Sequence, residues 1–376
     1  MSDDESEDQK HHIIIDNGSG YIKAGFSGEG SPRTVFPTVV GYPKYHTDNK
    51  DFFVGTDAEA KRGVLKFNKP IQRGGIINWD DMEKIWNYLF NNELRAAPEE
   101  HNVMITELLK YPKEIREKIA QLMFESFNVP GLFIVNPAIL SLYYAGKYIG
   151  FVVDLGHEIS QFVPIYDGFP LSHAVKQYNF GGKDLTEYMV NLLGETGTKF
   201  FTDAQKIIVE CIKIKSCYVA LDYEEEIKSV EKFDYELPDG THIIIKDQRI
   251  KCPESLFKPF MISNLGDNIE NIGQPCYDSI QKCDIDIKRD FYNCIVLSGG
   301  TSMFNGLPER FKKEIKALVP ESIKEEVNVI ASPERKFASW NGGSILSTIS
   351  TFKSCWITKT EYEESGATIV HRKCLC

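Results

Sequence analysis

The sequence predicts an α/β fold made of two similar halves, and three observations support this prediction. Two stretches, beginning at Ile13 and Phe151, share one pattern: an apolar β-branched run, then Asp-x-Gly, then a return to apolar residues. Strand-like and helix-like patterns alternate along most of the chain. A third glycine turn, at Gly299-Gly300, stands between a strand pattern and a helix pattern. Similar α/β halves of this kind bind ligands in a crevice at the carboxyl ends of their strands.

Residues 12–42 show the first hairpin pattern, in which strands and turns alternate. A polar loop follows at residues 44–51. A helix is expected from Trp79, because Met82, Trp86 and Leu89 recur at helical spacing. This apolar stripe indicates a helix packed on the core.

The next segment predicts a helix, a buried strand and another helix. Pro112 suits the start of a helix that runs to about Phe127. An apolar run at residues 132–135 predicts a buried strand. Residues 138–144 predict a helix, with Pro137 in its first turn.

The second half repeats the hairpin pattern at residues 150–166. Helices are expected at residues 185–193 and 204–221. Asp239-Gly240 marks the turn of a further hairpin, since this dipeptide favours two-residue hairpin turns.

The composition limits the class of protein. The chain has 376 residues, of which 42% are hydrophobic and 26% charged, as in an ordinary globular protein. A net charge of −11 argues against a general nucleic-acid binder. No apolar run approaches the roughly 20 residues that cross a bilayer, so no membrane partner is expected. The acidic residues 1–12 predict a flexible tail rather than a secretory signal.

The nine cysteines are scattered and include no Cys-x-x-Cys pair. This pattern favours reduced thiols over a disulfide framework or a zinc site. Cys374 and Cys376 close the sequence, and both are expected to be exposed.

The repeated Asp-x-Gly turns predict a site for a polyphosphate and its Mg²⁺. Each turn places a carboxylate at the end of a strand. In the first turn the small residues Ser19 and Gly20 follow, as close phosphate contact demands. In the second turn His157 and Glu158 stand at the corresponding places. Whether the protein hydrolyses a nucleotide or only holds it depends on that difference.

Stretches along the whole chain resemble actin. The resemblance covers residues 12–376 without large insertions. It implies the actin fold, related to the Hsp70 and sugar-kinase folds: two large domains around a nucleotide cleft, each with an inner and an outer subdomain. The segments that carry it include Asp16-Asn-Gly-Ser-Gly, Val35-Phe-Pro-Thr-Val-Val-Gly, Asn78-Trp-Asp-Asp-Met-Glu-Lys-Ile-Trp, Pro98-Glu-Glu-His, Cys217-Tyr-Val-Ala-Leu-Asp, Tyr235-Glu-Leu-Pro-Asp-Gly, Ser298-Gly-Gly-Thr, Pro333-Glu-Arg-Lys, Gly342-Gly-Ser-Ile-Leu, Trp356-Ile-Thr-Lys and His371-Arg-Lys-Cys.

The resemblance also implies domain boundaries. The first large domain would comprise residues 13–144 and 338–376, with a small subdomain at about 37–74. The second would comprise residues 145–337, with a small subdomain at about 181–265.

The resemblance implies ATP or ADP as the ligand, with Mg²⁺. Gly18, Ser19 and Gly20 would offer backbone N–H groups to phosphate oxygens, and Lys23 would neutralise phosphate charge. Asp16 and Asp154 match the aspartates that hold Mg²⁺, largely through water. The other residues at the family's nucleotide positions are Tyr21, Gly156, His157, Glu158, Ile159, Gly182, Lys213, Gly299, Gly300, Thr301, Met303, Phe304 and Lys336.

The nucleoside positions depart from the family in part. Phe304 replaces a tyrosine and keeps the ring. Glu210 replaces an arginine, and Ile214 replaces a glutamate that meets the ribose. We therefore expect a less polar wall on one side of the nucleoside.

The hydrolysis positions depart more. Pro137 stands where the family has the glutamine that orients the attacking water, and proline has no side-chain donor or acceptor. Gln161 replaces a histidine of the water and proton chain, and Glu158 replaces a glycine. Because phosphoryl transfer relies on positioning, we expect weakened ATP hydrolysis, and no confident catalytic residue remains. Gln161 or Asn136 holding the water instead is the alternative.

Surfaces that actin uses in filaments also differ. The loop at residues 42–53 is shorter, the segment 264–275 is longer and more acidic, and Arg73 stands at the site of a commonly methylated histidine. Changes at both ends of a head-to-tail contact weaken the case for free self-assembly. The groove that takes partner helices in actin corresponds here to Tyr143, Tyr144, Gly146, Tyr148, Leu346, Ile349 and Thr351.

Three functions remain open at this point. One is a divergent cytoskeletal actin in the cytoplasm, whose partners are itself, other actin-family subunits and actin-binding proteins. The second is an actin-related subunit of a fixed complex, such as axonemal dynein, a dynactin-like rod or a chromatin remodeller, so that a cilium or nucleus becomes the location. The third, a sugar kinase or Hsp70-type ATPase, is disfavoured by the actin-like segment Trp356–Cys376.

Overall fold

The structure is a computed structural model that describes residues 11–45, 50–263 and 271–374. Four expectations lie wholly or partly outside the described residues. They concern residues 1–10 of the acidic tail, residues 46–49 of the shortened loop, residues 264–270 of the acidic segment, and Cys376.

The strands of the described chain are short, and the longest belong to the two repeated hairpins. They are β1 Ile13–Asn17, β2 Tyr21–Phe26, β3 Thr34–Pro37, β4 Val40–Pro43, β5 Phe53–Val54, β6 Leu65–Asn68, β7 Ile71–Gln72, β8 Gly75–Ile76, β9 Val103–Thr106, β10 Gly131–Val135, β11 Gly150–Leu155, β12 Ser160–Tyr166, β13 Phe169–Pro170, β14 Lys176–Tyr178, β15 Phe233–Glu236, β16 His242–Ile245, β17 Ile295–Ser298, β18 Val329–Ile330 and β19 Ile357–Thr358.

Helices alternate with these strands. They are α1 Gly55–Ala60, α2 Trp79–Tyr88, α3 Lys113–Gln121, α4 Pro137–Tyr144, α5 Gly182–Glu195, α6 Asp203–Ser216, α7 Tyr223–Glu226, α8 Gln248–Glu254, α9 Gly273–Gln281, α10 Lys288–Asn293, α11 Leu307–Leu318, α12 Glu321–Lys324, α13 Ala338–Thr348, α14 Lys359–Ser365 and α15 Val370–Lys373. The predicted α/β character is confirmed.

The chain divides into two compact units. The first comprises Met1–Tyr148, Ile165–Ser172 and Phe337–Cys376, and the second comprises Ile149–Pro164 and His173–Lys336. Residues 165–172 thus group with the first unit, although the sequence boundaries place them in the second domain. One reason is that Gly168 N donates a hydrogen bond to Tyr148 O at 2.8 Å.

Each Asp-x-Gly hairpin belongs to a six-stranded sheet of the same local order. In the first sheet the order is β19-β10-β9-β1-β2-β3, and β1 runs parallel to β9. In the second the order is β13-β12-β11-β17-β18, with β14 beside β12, and β11 runs parallel to β17. In both sheets, therefore, the first hairpin strand has its partner strand on one side and a parallel strand on the other.

Helix α13 closes the core of the first unit. It packs against α4, where a Cβ atom on Gly342 would lie only 1.8 Å from Leu140 O. Only glycine allows so close an approach. Trp340 is fully buried, and its Nε1 donates to Ile14 O in β1 at 3.0 Å. The last part of the sequence is thus built into the same core as the first strand.

Most helix predictions agree with the structure, with one clear difference at the end of α6. The sequence pattern predicts a helix to residue 221, but α6 ends at Ser216. Cys217 is extended, Tyr218 N donates to Arg249 O at 3.2 Å, and Val219 N donates to Asn305 O at 2.8 Å. The backbone there pairs with other segments instead of continuing the helix.

The expectation that Cys374 is exposed is wrong. Its side chain is buried, with an exposed fraction of 1%. Ile134 N lies 3.3 Å from the Cys374 Sγ acceptor, and Arg116 Nη1 donates to Cys374 O at 2.6 Å. These contacts hold the end of the described chain against β10 and α3.

No helix in the described part of the chain is long and apolar enough to cross a membrane.

Candidate functional site

The first Asp-x-Gly loop joins β1 to β2, and its carboxylate is held from two sides. Asp16 Oδ2 accepts a hydrogen bond from Lys23 Nζ at 2.6 Å, and Oδ1 accepts one from Thr106 Oγ1 at 3.0 Å. Lys23 is on β2 opposite Asp16, and Thr106 ends the parallel strand β9. The structure thus gives Lys23 a carboxylate partner next to the loop where phosphate contact was predicted.

The backbone of this loop needs glycine and leaves donors available. A Cβ atom on Gly18 would lie 2.6 Å from Tyr21 O, which is closer than real Cβ contacts. Thr38 forms hydrogen bonds with two carbonyl groups of the loop. Its Oγ1 donates to Gly18 O at 2.6 Å, and its N donates to Gly20 O at 3.0 Å. Among the described residues, no hydrogen bond uses the N–H groups of Ser19 and Gly20. Backbone N–H groups that have no partner in a loop of this kind are suited to an anion.

The second Asp-x-Gly loop joins β11 to β12 and also makes a turn that requires glycine. Gly156 N donates to Ile159 O at 2.8 Å, and a Cβ atom on Gly156 would lie 2.9 Å from that oxygen. Gly156 O accepts from Gly182 N at 3.0 Å and from Thr301 Oγ1 at 2.7 Å. One carbonyl therefore fixes the start of α5 and the Gly299–Phe304 segment to the loop.

Glu158 has a partner that the sequence argument missed. Its side chain is fully buried, and its Oε1 accepts from Lys183 Nζ at 2.7 Å. Lys183 N also donates to His157 O at 2.7 Å, so backbone and side chain both tie α5 to this loop. Neither His157 nor Glu158 has a positive φ, so the loop accepts residues other than glycine without that strain. The repulsion that a lone carboxylate would exert on phosphates is thus partly offset by an ammonium.

His157 faces a second acid at longer range. Its Nδ1 lies 3.9 Å from Glu210 Oε1. Glu210 is the residue that stands where the sequence comparison with actin expects an arginine. The two substitutions therefore meet in space. An arginine at position 210 would place a cation near His157, whereas Glu210 places an acid there.

Lys213 is buried and braces the helices instead of presenting a free charge. Its Nζ donates to Gly182 O at 2.6 Å and to Thr186 Oγ1 at 2.7 Å. Burial lowers the pKa of Lys213 below its ordinary value. The lysine thus positions the start of α5, whereas its neighbour Ile214 is exposed.

The Gly299–Phe304 segment lies against the second loop. Gly299 has a φ of +87°, and a Cβ atom there would lie 2.3 Å from Leu155 O. Only glycine fits this position. Phe304 is buried. Gly300 and Met303 bound a short 3₁₀ turn, and Lys336 belongs to another such turn.

The residues at the predicted hydrolysis positions are committed to structure. Pro137 opens α4. Asn136 is fully buried, its Oδ1 accepts from Ala138 N at 2.9 Å, and its Nδ2 donates to Glu107 O at 3.4 Å. Asn136 thus serves as the N-cap of α4, which argues against the alternative that it holds a water.

Gln161 keeps one group available. Its Nε2 donates to Gln177 Oε1 at 2.8 Å, whereas its buried Oε1 has no hydrogen-bond partner among the described residues. Asn17 Oδ1, in the first loop, is likewise buried and has no hydrogen-bond partner among the described residues. Buried acceptors without a partner are uncommon and are usually satisfied by water or a ligand.

A family model for actin matches residues 7–375, which is nearly the whole chain. The protein belongs to the actin family. The resemblance stated from the sequence is therefore confirmed, together with the α/β fold class that it implies.

Each Asp-x-Gly loop of this actin-family chain, taken by itself, has features that fit the phosphates of a hydrated Mg²⁺ nucleotide. Gly18 and Gly156 form turns that side chains would block, and Ser19 and Gly20 offer N–H groups. The described residues contain no group of three or more His, Cys, Asp or Glu that would bind a metal directly. A magnesium ion that keeps most of its waters needs no such group, and its water ligands are donors for acceptors such as Asn17 Oδ1.

The predicted partner groove lies on α4, α13 and the residues after them, all within the first unit. Tyr148 is 63% exposed, and Ile349 and Thr351 are exposed as well. Tyr143, Tyr144 and Leu346 are half-buried. The exposed aromatic ring of Tyr148 is available for a contact, but its partner stays a prediction.

The sequence reasoning missed Lys183, Thr38 and Thr106. Lys183 follows Gly182 at the start of α5, and a lysine beside a predicted nucleotide position was a usable signal. The threonines gave no local signal, because each reaches its loop from a separate strand or turn.

Proposed function

We propose that this actin-family protein binds ATP or ADP with Mg²⁺, forms or joins filaments, and hydrolyses its nucleotide slowly. The observation that carries the proposal is the pair of matching Asp-x-Gly turns. A Cβ atom added to Gly18 or to Gly156 would lie within 3 Å of a backbone oxygen. Asp16 and Asp154 precede these glycines and would hold the hydrated Mg²⁺.

The slow hydrolysis is inferred from the groups near the reacting water. When bound, Mg²⁺ would neutralise charge on the terminal phosphates. Orienting the attacking water is then left to side chains, and Pro137 has none that can do so. Gln161 offers one buried acceptor but has its amide N–H donated to Gln177. Losing an orienting group costs about 10²-fold or more in rate.

A fixed-complex subunit is the second candidate. The shorter loop at residues 42–53 and the longer, more acidic segment 264–275 favour it, because both differ from surfaces that actin uses in filaments. In such a subunit the nucleotide stabilises the folded chain by mass action. The first candidate function would place the protein in the cytoplasm and cytoskeleton. The second would place it in a nucleus or cilium.

One experiment separates the two candidates. The purified protein is loaded with Mg-ATP, and phosphate release and sedimentation with salt are followed together. The proposal expects nucleotide retained on the protein, phosphate release at least ~10²-fold slower than for a conventional actin, and pelleting alone or with added actin. Retained nucleotide without pelleting in either mixture indicates the fixed-complex subunit. Phosphate release as fast as that of conventional actin overturns the slow-hydrolysis part.

A further inference from the structure

A cavity of about 310 Å³ opens in the second unit, outside the residues assigned to the nucleotide. Its volume lies at the lower end of the range for small-molecule sites, which is about 300–1,000 Å³. The cavity lies where α6 ends and the chain after it pairs with two other segments. It is lined by Lys215, Ser216, Cys217, Tyr218, Val219, Arg249, Asn305 and Gly306.

Arg249 is held in place at this cavity from several sides. Its Nε donates to Ser216 O and its Nη1 donates to Glu231 O, both at 2.9 Å. The guanidinium also lies over the rings of Tyr218 and Phe233, 5.2 Å from each ring centroid. Its Nη2 makes no hydrogen bond within the part of the chain that the structure describes. A guanidinium ordered in this way loses little conformational entropy when it binds a ligand.

Lys215 adds a second cation to the cavity. It is exposed, and its Nζ lies 5.6 Å from the centroid of the Tyr235 ring. Among the described residues, no carboxylate forms an ion pair with Lys215 or with Arg249. The carbonyl partners of Arg249 bear no net charge, so both positive charges remain uncancelled by direct contacts.

Two carboxylates act on the cavity from outside its lining. Burial and the charge of Glu226, with a smaller effect of Glu231, raise the pKa of Tyr218. Neither acid lines the cavity, and Glu226 Oε1 already accepts hydrogen bonds from the N–H groups of Leu221 and Asp222. The described lining thus contains two cations and no acid, which favours an anionic ligand.

The neutral groups of the lining narrow the class of anion. The side chains of Asn305 and Tyr218 make no hydrogen bond to any described residue, so an amide and a hydroxyl donor accompany the two cations. A phosphate group accepts from several donors at once and carries up to two negative charges. The cavity also holds more than a phosphate alone, because one water-sized site needs only about 10–15 Å³. Val219 offers an apolar side chain to the remaining part of a ligand.

We propose that this cavity binds a small organic phosphate monoester. Arg249 and Lys215 hold the phosphate, Asn305 donates to it, and the organic group lies towards Val219. The cavity binds this ligand whether or not the protein holds a nucleotide, because no lining residue belongs to the nucleotide positions.

The first experiment titrates phenyl phosphate into the full chain labelled with ¹⁵N-arginine and follows the Nε–H signals by NMR. The signal of Arg249, assigned by its loss in Arg249→Lys, should shift and saturate. Arg289 is the internal control, because it is exposed but its Nε already donates to Glu326 Oε2 at 2.9 Å. Its signal should stay in place. No saturable shift of the Arg249 signal, or an equal shift of the Arg289 signal, overturns the site.

The second cation is tested with Lys215→Met, which should weaken the binding of phenyl phosphate by ~3- to 10-fold. Lys199→Met removes an exposed charge outside the cavity and should leave the affinity unchanged. Equal weakening in both variants overturns the role of Lys215. Thermal unfolding of each variant identifies loss of fold.

The class of ligand is tested with two further probes and the same Arg249 signal. Inorganic phosphate, which lacks the organic group, should bind more weakly than phenyl phosphate. Benzylamine, which carries a ring and a positive charge, should cause no saturable shift. Inorganic phosphate that binds as tightly as phenyl phosphate overturns the monoester, and benzylamine that binds as tightly overturns the preference for an anion.

Discussion

The two Asp-x-Gly loops both make a turn that requires glycine, but they carry different side chains. Gly18 faces Tyr21 O as Gly156 faces Ile159 O, at 2.6 and 2.9 Å from an added Cβ atom. The first loop continues with small residues whose N–H groups have no partner among the described residues. The second continues with His157 and Glu158, which are tied to other side chains.

This difference shows that the shape of a turn and its chemistry can change independently. The Gly156 turn persists because its hydrogen bonds are made by the backbone, so neighbouring side chains are free to vary. Glu158 is tolerated because Lys183 pairs with it, not because the loop has opened. The proposal therefore assigns phosphate binding to both loops and attributes slow hydrolysis in part to the side chains of the second.

The largest effect is expected from a methyl group in the first loop. Gly18→Ala places a Cβ atom 2.6 Å from Tyr21 O, so the backbone must move. We expect a loss of about 3 kcal/mol in the free energy of unfolding and weaker nucleotide binding. Gly156→Ala, at 2.9 Å, should cost less. Urea unfolding and nucleotide displacement measure both effects.

Gly63→Ala is the control for that comparison, because nothing lies within 4 Å of its added Cβ atom and its φ is not positive. If Gly18→Ala behaves like Gly63→Ala, the turn geometry does not matter for stability.

Restoring the family's residues at position 137 and in the second hairpin should raise the rate of ATP hydrolysis. Pro137→Gln combined with Glu158→Gly and Gln161→His is expected to increase phosphate release by ~10²-fold, since it returns the groups that orient water. Phe304→Tyr, which restores only a hydroxyl of the base side, should leave the rate unchanged. An unchanged rate in the triple variant would mean that the second loop does not limit hydrolysis.

Breaking the ion pair between the second loop and α5 should lower the free energy of unfolding by somewhat less than Gly18→Ala does. Lys183→Met leaves the buried Glu158 carboxylate without its ammonium, and we expect a loss of about 2 kcal/mol, because Lys183 is 38% exposed and water offsets part of the cost. Adding Glu158→Gln should recover most of that loss.

Lys206→Met is the matched control, since its partner Glu187 is exposed. It should change the free energy of unfolding by less than about 1 kcal/mol. Equal losses in Lys183→Met and Lys206→Met would show that the buried pair has no special weight.

The smallest effect is the pH dependence of stability that comes from Lys213, the buried lysine at the start of α5. The native pKa of Lys213 lies below its ordinary value of 10.5, so the unfolded chain binds more protons. The free energy of unfolding contributed by Lys213 should therefore rise as pH increases from the lowered pKa towards 10.5. Lys213→Met should remove this rise, and Lys215→Met, at an exposed position, should keep it. The same pH profile in both variants would contradict the assignment.

Regular elements and glycine turns were predictable because their causes are local. Periodicity located α2, Pro137 marked the start of α4, and β-branched runs with Asp-x-Gly located both hairpins. The family followed from segments spread over the chain.

Pairings between distant segments were not predictable. Glu158 and Lys183 meet only because Gly182 N bonds to Gly156 O, and such long-range packing leaves no period in the sequence. The burial of Cys374 has the same origin, because β10 and Arg116 cover it from far along the chain. The end of α6 was misplaced because Arg249 O and Asn305 O compete for its backbone.

The position of α13 has a consequence for synthesis on the ribosome. The first unit combines Met1–Tyr148 and the short stretch Ile165–Ser172 with Phe337–Cys376, and the two stretches of the second unit are encoded before residue 337. Trp340 and Gly342 complete the packing over Ile14 and Leu140 only after the exit tunnel releases α13. The second unit is translated whole before that point. Nascent chains stalled before residue 337 should therefore expose apolar surface of the first unit to chaperones.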